Sequence, residues 1–385
     1  MASGAAAVGV SAWAPLRVRA FRALWIAQLA SMIGTWMQTV GAQWLLVGEP
    51  NAAMLVALVQ TAAMVPTLML ALPAGALGDI VDRRRLLIGL QGFQLVVGAV
   101  LVALTLVGRL APAPLLVVTF LLGCGQALTV PGYQALVQDL VPRSQLRSAA
   151  ALNGVAMNLA RAVGPAVAGL LIARVGVAAV FALNAATFAA FAVVLATMPR
   201  GTGTEKVLPE RFVGALIAGA RYVRHAPPVR RMMLRIVLFV APGAALWALL
   251  PLVASQLLGL DATGYGLLLA ALGVGAVVGA VVLPHVTARL SPNRLIIAAG
   301  LVFAGATIVS VLVPHVVVVL VVLLPAGMAW LSMLATMSGT LQVFLPGWVR
   351  ARGLAIYQMV FSGGQALAAL AWGCSPSWWA SCQRC

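Results

Sequence analysis

The chain has 385 residues, of which 63% are hydrophobic and only 8% are charged. Soluble globular domains carry about 25% charged residues, so this composition excludes an ordinary soluble domain. The net charge is +17, but the basic residues lie in short segments between apolar runs. Such a distribution forms no continuous basic face, and it excludes nucleic acid as the expected partner. We therefore expect a protein embedded in a lipid bilayer.

A helix needs about 20 apolar residues to cross the hydrocarbon core, and the apolar runs predict eleven such spans. The spans are expected at 23–47, 53–74, 86–107, 115–137, 149–173, 176–197, 232–256, 263–284, 295–313, 316–342 and 353–373. The sequence thus predicts an all-α integral membrane protein. The predicted units are a six-helix N-terminal bundle at 1–198, a cytoplasmic linker at 199–231, a five-helix bundle at 232–373 and an aberrant tail at 374–385.

The basic residues predict the orientation, because Lys and Arg are enriched in cytoplasmic loops. Most of them fall on the side of the N-terminus, whereas only Arg109 and Arg174 fall on the opposite side, apart from the tail. We expect a multi-pass membrane protein with a cytoplasmic N-terminus and linker. The linker segment Tyr222-Val-Arg-His225 fits either an amphipathic surface helix or a flexible tether.

The most charged stretch of the first bundle is Gly75-Ala-Leu-Gly-Asp79-Ile-Val-Asp82-Arg83-Arg84-Arg85. It resembles the signature loop between the second and third helices of the major facilitator superfamily. The residues in register with that signature are Gly75, Asp79, Arg83 and Arg84. The form with Asp-Arg-Arg-Arg is similar to the enterobactin-exporter-like carriers, or transmembrane secretion effectors. The alternative is a basic cytoplasmic loop with no further role.

The resemblance has two departures and several implications. Ile80 and Asp82 stand where the signature usually has arginine and glycine. The resemblance implies that Asp139 pairs with Arg83, and that Asp79 meets the start of the eleventh helix near Arg352-Gly353. These contacts would lock the cytoplasmic gate in the outward-open state. The competing interpretation of the pair is a local salt bridge worth about 0–1 kcal/mol.

The two bundles contain matching segments. Gln138-Asp-Leu-Val-Pro142 closes the fourth span, and Gln342-Val-Phe-Leu-Pro346 closes the tenth. Arg84-Arg85-Leu86 likewise matches Asn293-Arg294-Leu295 at a similar offset. Two matches in the same order predict duplicated halves, with a substrate site at their interface near the middle of the membrane.

Arg161 is an unusual charged residue because it lies inside a predicted membrane span, the fifth one, with Asn158 one turn earlier. Arginine is costly at this depth and usually faces a partner or water. It is a candidate for binding an anionic group of a substrate, while internal pairing or snorkelling toward the loop at Arg147 is the alternative. The following Gly164-Pro165 resembles the fifth-helix motif of antiporter-type members, although an ordinary membrane-helix proline also fits.

Polar and aromatic side chains inside the spans are candidates to line a cavity, although many of them also fit as interface anchors or interhelical hydrogen bonders. The candidates are Gln38, Gln43, Trp44, Gln126, Tyr133, Gln134, Trp247, Trp330, Gln342, Tyr357 and Gln358. Tryptophan and glutamine together suit amphipathic ligands that carry aromatic groups.

Several chemistries have no support in the sequence. No Asp or Glu lies deep in a span, so proton coupling, which the resemblance implies, stays open. No phosphate-binding Gly-Lys motif appears, and the three histidines have no metal-ligand spacing. No clustered nucleophile or acid–base pair indicates an enzyme. We expect no cofactor, no metal and no catalytic residue.

After Gly373 the apolar pattern stops, and Cys382-Gln-Arg-Cys385 ends a segment too short to span. We expect a chain truncated before a twelfth helix, with an accidental tail rather than a redox or metal pair. The function that the resemblance implies is secondary transport by a monomer in the bacterial inner membrane. It would export small siderophore- or drug-like molecules through rocking of two halves. The alternative is a degenerate membrane protein without transport activity.

Overall fold

The structure is a computed structural model, which describes residues 13–80, 82–198 and 225–374. Within helices it describes the backbone but not the side chains at 71–80, 143, 347–352 and 355. The regular structure in these ranges is helical, and they contain no strand. The predicted all-α class is confirmed.

Eleven long helices occupy the described residues, in the order predicted from the apolar runs. The first six are α1 (Arg19–Leu46), α2 (Ala52–Ile80), α3 (Arg83–Leu106), α4 (Pro112–Leu140), α5 (Leu146–Val175) and α6 (Val177–Thr197). The other five are α7 (Pro227–Leu252), α8 (Ala262–Thr287), α9 (Pro292–Leu312), α10 (Val316–Phe344) and α11 (Gly347–Gly373). Short helical turns at Ala14–Arg17 and Arg143–Gln145 precede α1 and α5, and a π-helical turn at Val253–Leu257 extends α7.

Several helices extend beyond the predicted apolar spans. The linker was expected to continue to residue 231. The α7 helix instead begins at Pro227, because proline is well tolerated in the first turn of a helix. Residues 199–224 of the linker lie outside the described residues, as does the tail after Cys374. The division into 1–198, 199–231, 232–373 and 374–385 therefore stays a prediction.

By length and hydropathy, nine helices in the described ranges could cross a membrane. The α1 helix is not among them, because Gln28, Gln38 and Gln43 lower its hydropathy. Many large apolar side chains are exposed on the surface, including Met69, Val193 and Leu301. Such an apolar exterior fits a lipid environment rather than water.

Corresponding helices pack against each other in the two parts of the bundle. In the first part, α1 packs on α5, α2 on α4 and α3 on α4; in the second, α7 packs on α11, α8 on α10 and α9 on α10. The two parts meet where α5 packs against α8 and where α2 packs against α11. This repeated pattern supports the duplicated halves that the sequence predicts.

The bundle has two ends, here named the near end, where α1 begins, and the far end, where α1 finishes. The described contacts between α2 and α11 run from the far end toward the middle. The Cys374 Sγ lies 3.5 Å from the Met54 Sδ, and the Thr61 hydroxyl donates to the Ala366 carbonyl at 3.2 Å. The far end of the bundle is therefore closed.

The α5 and α8 helices diverge toward the near end. They are in close contact from Gly169 down to Ala162. Gly154, two turns nearer the start of α5, is exposed, and a Cβ added there would meet no neighbouring atom within 4 Å in the described residues. Most of α8 after Gly279 is likewise exposed. These two helices thus separate at the near end.

Candidate functional site

The signature loop joins α3 to α4 at the near end through an ion pair. The Arg83 Nη1 donates to both carboxylate oxygens of Asp139, at 3.0 and 2.7 Å. The pairing that the resemblance implies is thus present. Both side chains are partly exposed, at 25% and 34%, so the pair is the kind that contributes little to stability.

The second arginine of the loop holds the end of another helix. The Arg84 Nε donates to the Leu195 carbonyl at 2.6 Å, and its Nη2 donates to the Ala196 carbonyl at 2.5 Å. These carbonyls belong to the last turn of α6, where helices leave acceptors without partners. Sequence reasoning missed this contact, because nothing in the local pattern names the partner helix.

Asp82, which departs from the family signature, has a local structural role. Its carboxylate accepts a hydrogen bond from the Arg85 amide at 2.8 Å and caps the N-terminus of α3. Aspartate is among the preferred residues for this position. The departure is therefore compatible with the loop geometry.

The expected contact between Asp79 and the start of α11 is a different case. Gly75 and Asp79 lie in the last turns of α2, which continues past the predicted span of 53–74 to Ile80. The side chains of Asp79 and Arg352 lie outside the described part of the structure. The gate contact thus stays a prediction.

Arg161 lies in the middle of α5, beside an aromatic ring of α1. Its guanidinium carbon is 5.5 Å from the centre of the Trp36 ring, a distance at which a cation is attracted to the ring face. The Arg161 Nε is buried, and it has no hydrogen-bond partner in the ranges described. Arg161 and Trp36 as whole residues are only half-buried. Part of each residue is therefore accessible, although the Arg161 Nε itself is buried.

An array of aromatic rings continues from Trp36 into the second half of the chain. The Trp36 ring lies 5.9 Å from that of Trp247 on α7, which lies 5.7 Å from that of Trp330 on α10. Trp330 also contacts Phe239 and Phe303, each at 5.3 Å between ring centres. These separations are typical of packed aromatic pairs. The array connects the two halves at mid-bundle, and we call it the aromatic array.

Gly164 lets α1 approach α5 closely. A Cβ added at Gly164 would lie only 2.6 Å from the Trp36 Cβ, so a larger residue would displace the ring over which Arg161 lies. The predicted site residues Arg161 and Gly164 are therefore brought together through a residue that sequence reasoning missed. The available signal was the polar character of α1, which carries Trp36 and Gln43 two turns apart on one face.

Pro165 belongs to the interface between the halves. A Cβ added at Gly266 of α8 would lie 2.5 Å from the Pro165 carbonyl oxygen. One at Gly273 would overlap the Ala162 backbone, and one at Gly169 would meet the Ala262 carbonyl. Small residues allow membrane helices to approach in this way.

Two of the predicted cavity glutamines make buried hydrogen bonds instead. Gln38 accepts a hydrogen bond from the Asn184 side chain of α6, which supports the alternative interpretation as an interhelical hydrogen bonder. The Gln43 Oε1 accepts a hydrogen bond of 2.6 Å from the Tyr265 hydroxyl of α8. Trp44 stacks on the same tyrosine, with 5.9 Å between ring centres. Gln43 and Trp44 thus help to close the far end.

The other candidates do not gather at the array. The Asn158 amide donates to the Gly154 carbonyl of its own helix at 2.9 Å, and the Tyr133 hydroxyl donates to Asn153 at 3.0 Å. Tyr357 and Gln358 make longer contacts within the second half, at 3.4 Å each. The remaining positions are the half-buried Gln126 and the exposed Gln134 and Gln342.

Comparison with known proteins places this geometry in a family. The transmembrane secretion effector family matches residues 10–379. The staphyloferrin A transporter of Staphylococcus aureus is 23% identical over 300 residues, which cover 77% of this chain and 74% of that protein. Macrolide efflux protein A of Streptococcus pyogenes is 23% identical over 235 residues, which cover 60% of this chain and 58% of that protein.

Solved structures share the fold at low sequence identity. The nucleoside transporter NupG superposes with a TM-score of 0.72 at 11% identity, covering 92% of this chain and 90% of that one. A bacterial homologue of the iron transporter ferroportin, in an inward-facing state, gives 0.69 at 18% identity, covering 93% and 92%. The predicted major facilitator fold is confirmed. Because the family match spans nearly the whole sequence, this chain belongs to the transmembrane secretion effector family of major facilitator superfamily transporters.

Proposed function

We propose that this transporter is a secondary active exporter of small amphipathic molecules, and that its two halves rock to expose a central site to each side of the membrane in turn. One observation carries the proposal: α2 and α11 are in contact toward the far end, whereas α5 and α8 diverge toward the near end. Helices packed in this way can pivot about the middle as rigid units.

The near end is the proposed cytoplasmic side, because most of the basic residues lie there. On that orientation, the end at which α5 and α8 separate would face the cytoplasm. The Arg83–Asp139 pair lies wholly within the first half, so it stiffens the signature loop rather than bridging the gate. Asp79 is the proposed gate residue, and it would approach α11 when the near end closes.

The proposed substrate site is the mid-bundle space beside Arg161 and Trp36. Both residues are half-buried there, and the aromatic array lies behind them. The names of the relatives support siderophore-like and macrolide-like compounds as first substrates to test. Protons are the proposed coupling ion by family resemblance, although the helix interiors offer no carboxylate as a relay.

A reversible cross-link tests the rocking mechanism. Cys374 lies beside Met54 at the far end, so Met54→Cys places a thiol pair between α2 and α11. The background would replace Cys124, Cys382 and Cys385 with serine. Oxidation should form the disulfide, hold the far end closed and stop the export of radiolabelled erythromycin or staphyloferrin A from proteoliposomes. A reductant should restore export.

The matched control is Met54→Cys with Cys374→Ser, in which oxidation should leave export unchanged. Continued export by fully cross-linked protein would contradict rocking at this end. Absence of export of both compounds by the reduced, folded protein would count against the proposed function as an exporter of siderophore- and drug-like compounds.

A further inference from the structure

The middle of the bundle holds a positive charge for which the helices supply no counter-charge. The buried Arg161 Nε lacks a hydrogen-bond partner in the part of the chain that the structure describes. Every acid whose backbone is described lies outside the helices or within the last turn of one. An unpaired buried charge is costly. A partner from outside the protein would remove that cost.

A second unsatisfied donor lies beside the same ring. The Trp247 indole Nε1 is buried and likewise has no partner among the described residues, and its ring is 5.9 Å from that of Trp36. Guanidinium and indole groups can only donate hydrogen bonds. Two donors of this kind beside the Trp36 ring favour a ligand group that only accepts, such as a carboxylate.

The arrangement also indicates how a ligand would reach these donors. Trp247 and Trp330 are 7% and 3% exposed, whereas Arg161 and Trp36 are half-buried. A ligand that enters between the separated near halves of α5 and α8 would therefore meet Arg161 and Trp36 first. The aromatic array would then form an apolar wall against the rest of the ligand.

We propose that the substrates of this transporter are organic anions with a planar apolar part. The anionic group would bind Arg161, and the apolar part would pack beside Trp36 and Trp247. This inference rests on the proposed transport function and names the substrate class of the same site. A cationic amphipath would instead meet a like charge, with no acidic side chain at that depth in the sequence to attract it.

Three probes of matched shape test the charge preference. They are 1-naphthoate, the neutral 1-naphthamide and the cationic 1-naphthylmethylamine, measured by equilibrium dialysis against the purified protein in lipid nanodiscs. A charge-assisted hydrogen bond to Arg161 should make naphthoate bind about tenfold more tightly than naphthamide. The amine should bind most weakly.

Variants assign the preference to the site. Arg161→Gln should remove the difference between naphthoate and naphthamide, and Arg161→Lys should retain part of it. Trp36→Leu should weaken all three probes and keep their order. The matched control is Arg174→Gln, because Arg174 is exposed near the far end of the same helix; it should leave the three affinities unchanged.

Binding of the three probes to the unmodified protein is enough to test the charge preference, even if a variant fails to fold. Equal binding of naphthoate and naphthamide, or no detectable binding of naphthoate, would overturn the proposed substrate class. So would an unchanged preference in folded Arg161→Gln protein. Export of erythromycin without any preference for anionic probes would overturn the substrate class and leave the transport function standing. Absence of both export and anion preference would overturn both proposals.

Discussion

Individual side chains of the signature loop differ in how much they should contribute to stability. Arg83 and Asp139 form a partly exposed pair, whereas Arg84 makes two short hydrogen bonds to helix-terminal carbonyls. Exposed ion pairs are weak because water and salt screen them. The loop is thus fixed more firmly to α6 than to α4.

Removal of the ion pair should therefore cost little stability. Arg83→Ala and Asp139→Ala should each lower the free energy of unfolding by about 0–1 kcal/mol, and the double variant should lose no more than the sum. Thermal unfolding in detergent, combined in a double-mutant cycle, measures this coupling. A coupling well above that range would show that the pair is more than a screened surface contact.

Gly164 should be far less tolerant than another glycine of the same helix. Gly164→Val would push against Trp36 and displace the ring beside Arg161, so the near-ultraviolet circular dichroism of the tryptophans should change. Gly154→Val is the matched control, since Gly154 has open space around it, and its spectrum should match that of the unmodified protein. Identical spectra for both variants would contradict the close contact.

At the scale of helices, the interface of α5 and α8 depends on small residues. A Cβ added at Gly273 would overlap the Ala162 backbone, and a backbone clash cannot be relieved by a change of rotamer. The packing of these two helices thus limits how far the halves can close at the far end.

Gly273→Val should therefore disfavour the far-closed state. In the Met54→Cys background, the yield of the disulfide with Cys374 should fall several-fold under mild oxidation. Gly300→Val on α9 is the control, because that position has no neighbour within 4 Å, and it should cross-link normally. An unchanged disulfide yield for folded Gly273→Val protein would contradict the prediction that the contact between α5 and α8 at Gly273 is needed to close the far end.

The sequence predicted the helices better than the site. Runs of apolar residues report membrane spans directly, so all eleven helices were predicted, with errors only at ends such as Pro227. Contacts between distant helices leave no such local pattern. Arg161, Trp247 and Trp330 were selected because they are unusual inside a span, whereas Trp36 was missed and Gln38 proved to be paired with Asn184.

At the scale of the whole molecule, the distribution of basic residues predicts the orientation in the membrane, and labelling from each side tests it. We expect Arg109→Cys, in the loop between α3 and α4, to react with a membrane-impermeant maleimide in intact cells. Ser144→Cys, at the near end, should react only after the membrane is permeabilised. Both would be made in a background without the native cysteines, and the reverse pattern would invert the assigned sides.

The bonds from Arg84 to α6 have a mechanical consequence. They hold the last turn of α6, which ends at Thr197 and is the last helix of the first half. Unwinding of that turn would require two charged hydrogen bonds to break. When the two halves move relative to each other, the end of α6 should therefore stay attached to the start of α3 and move with it.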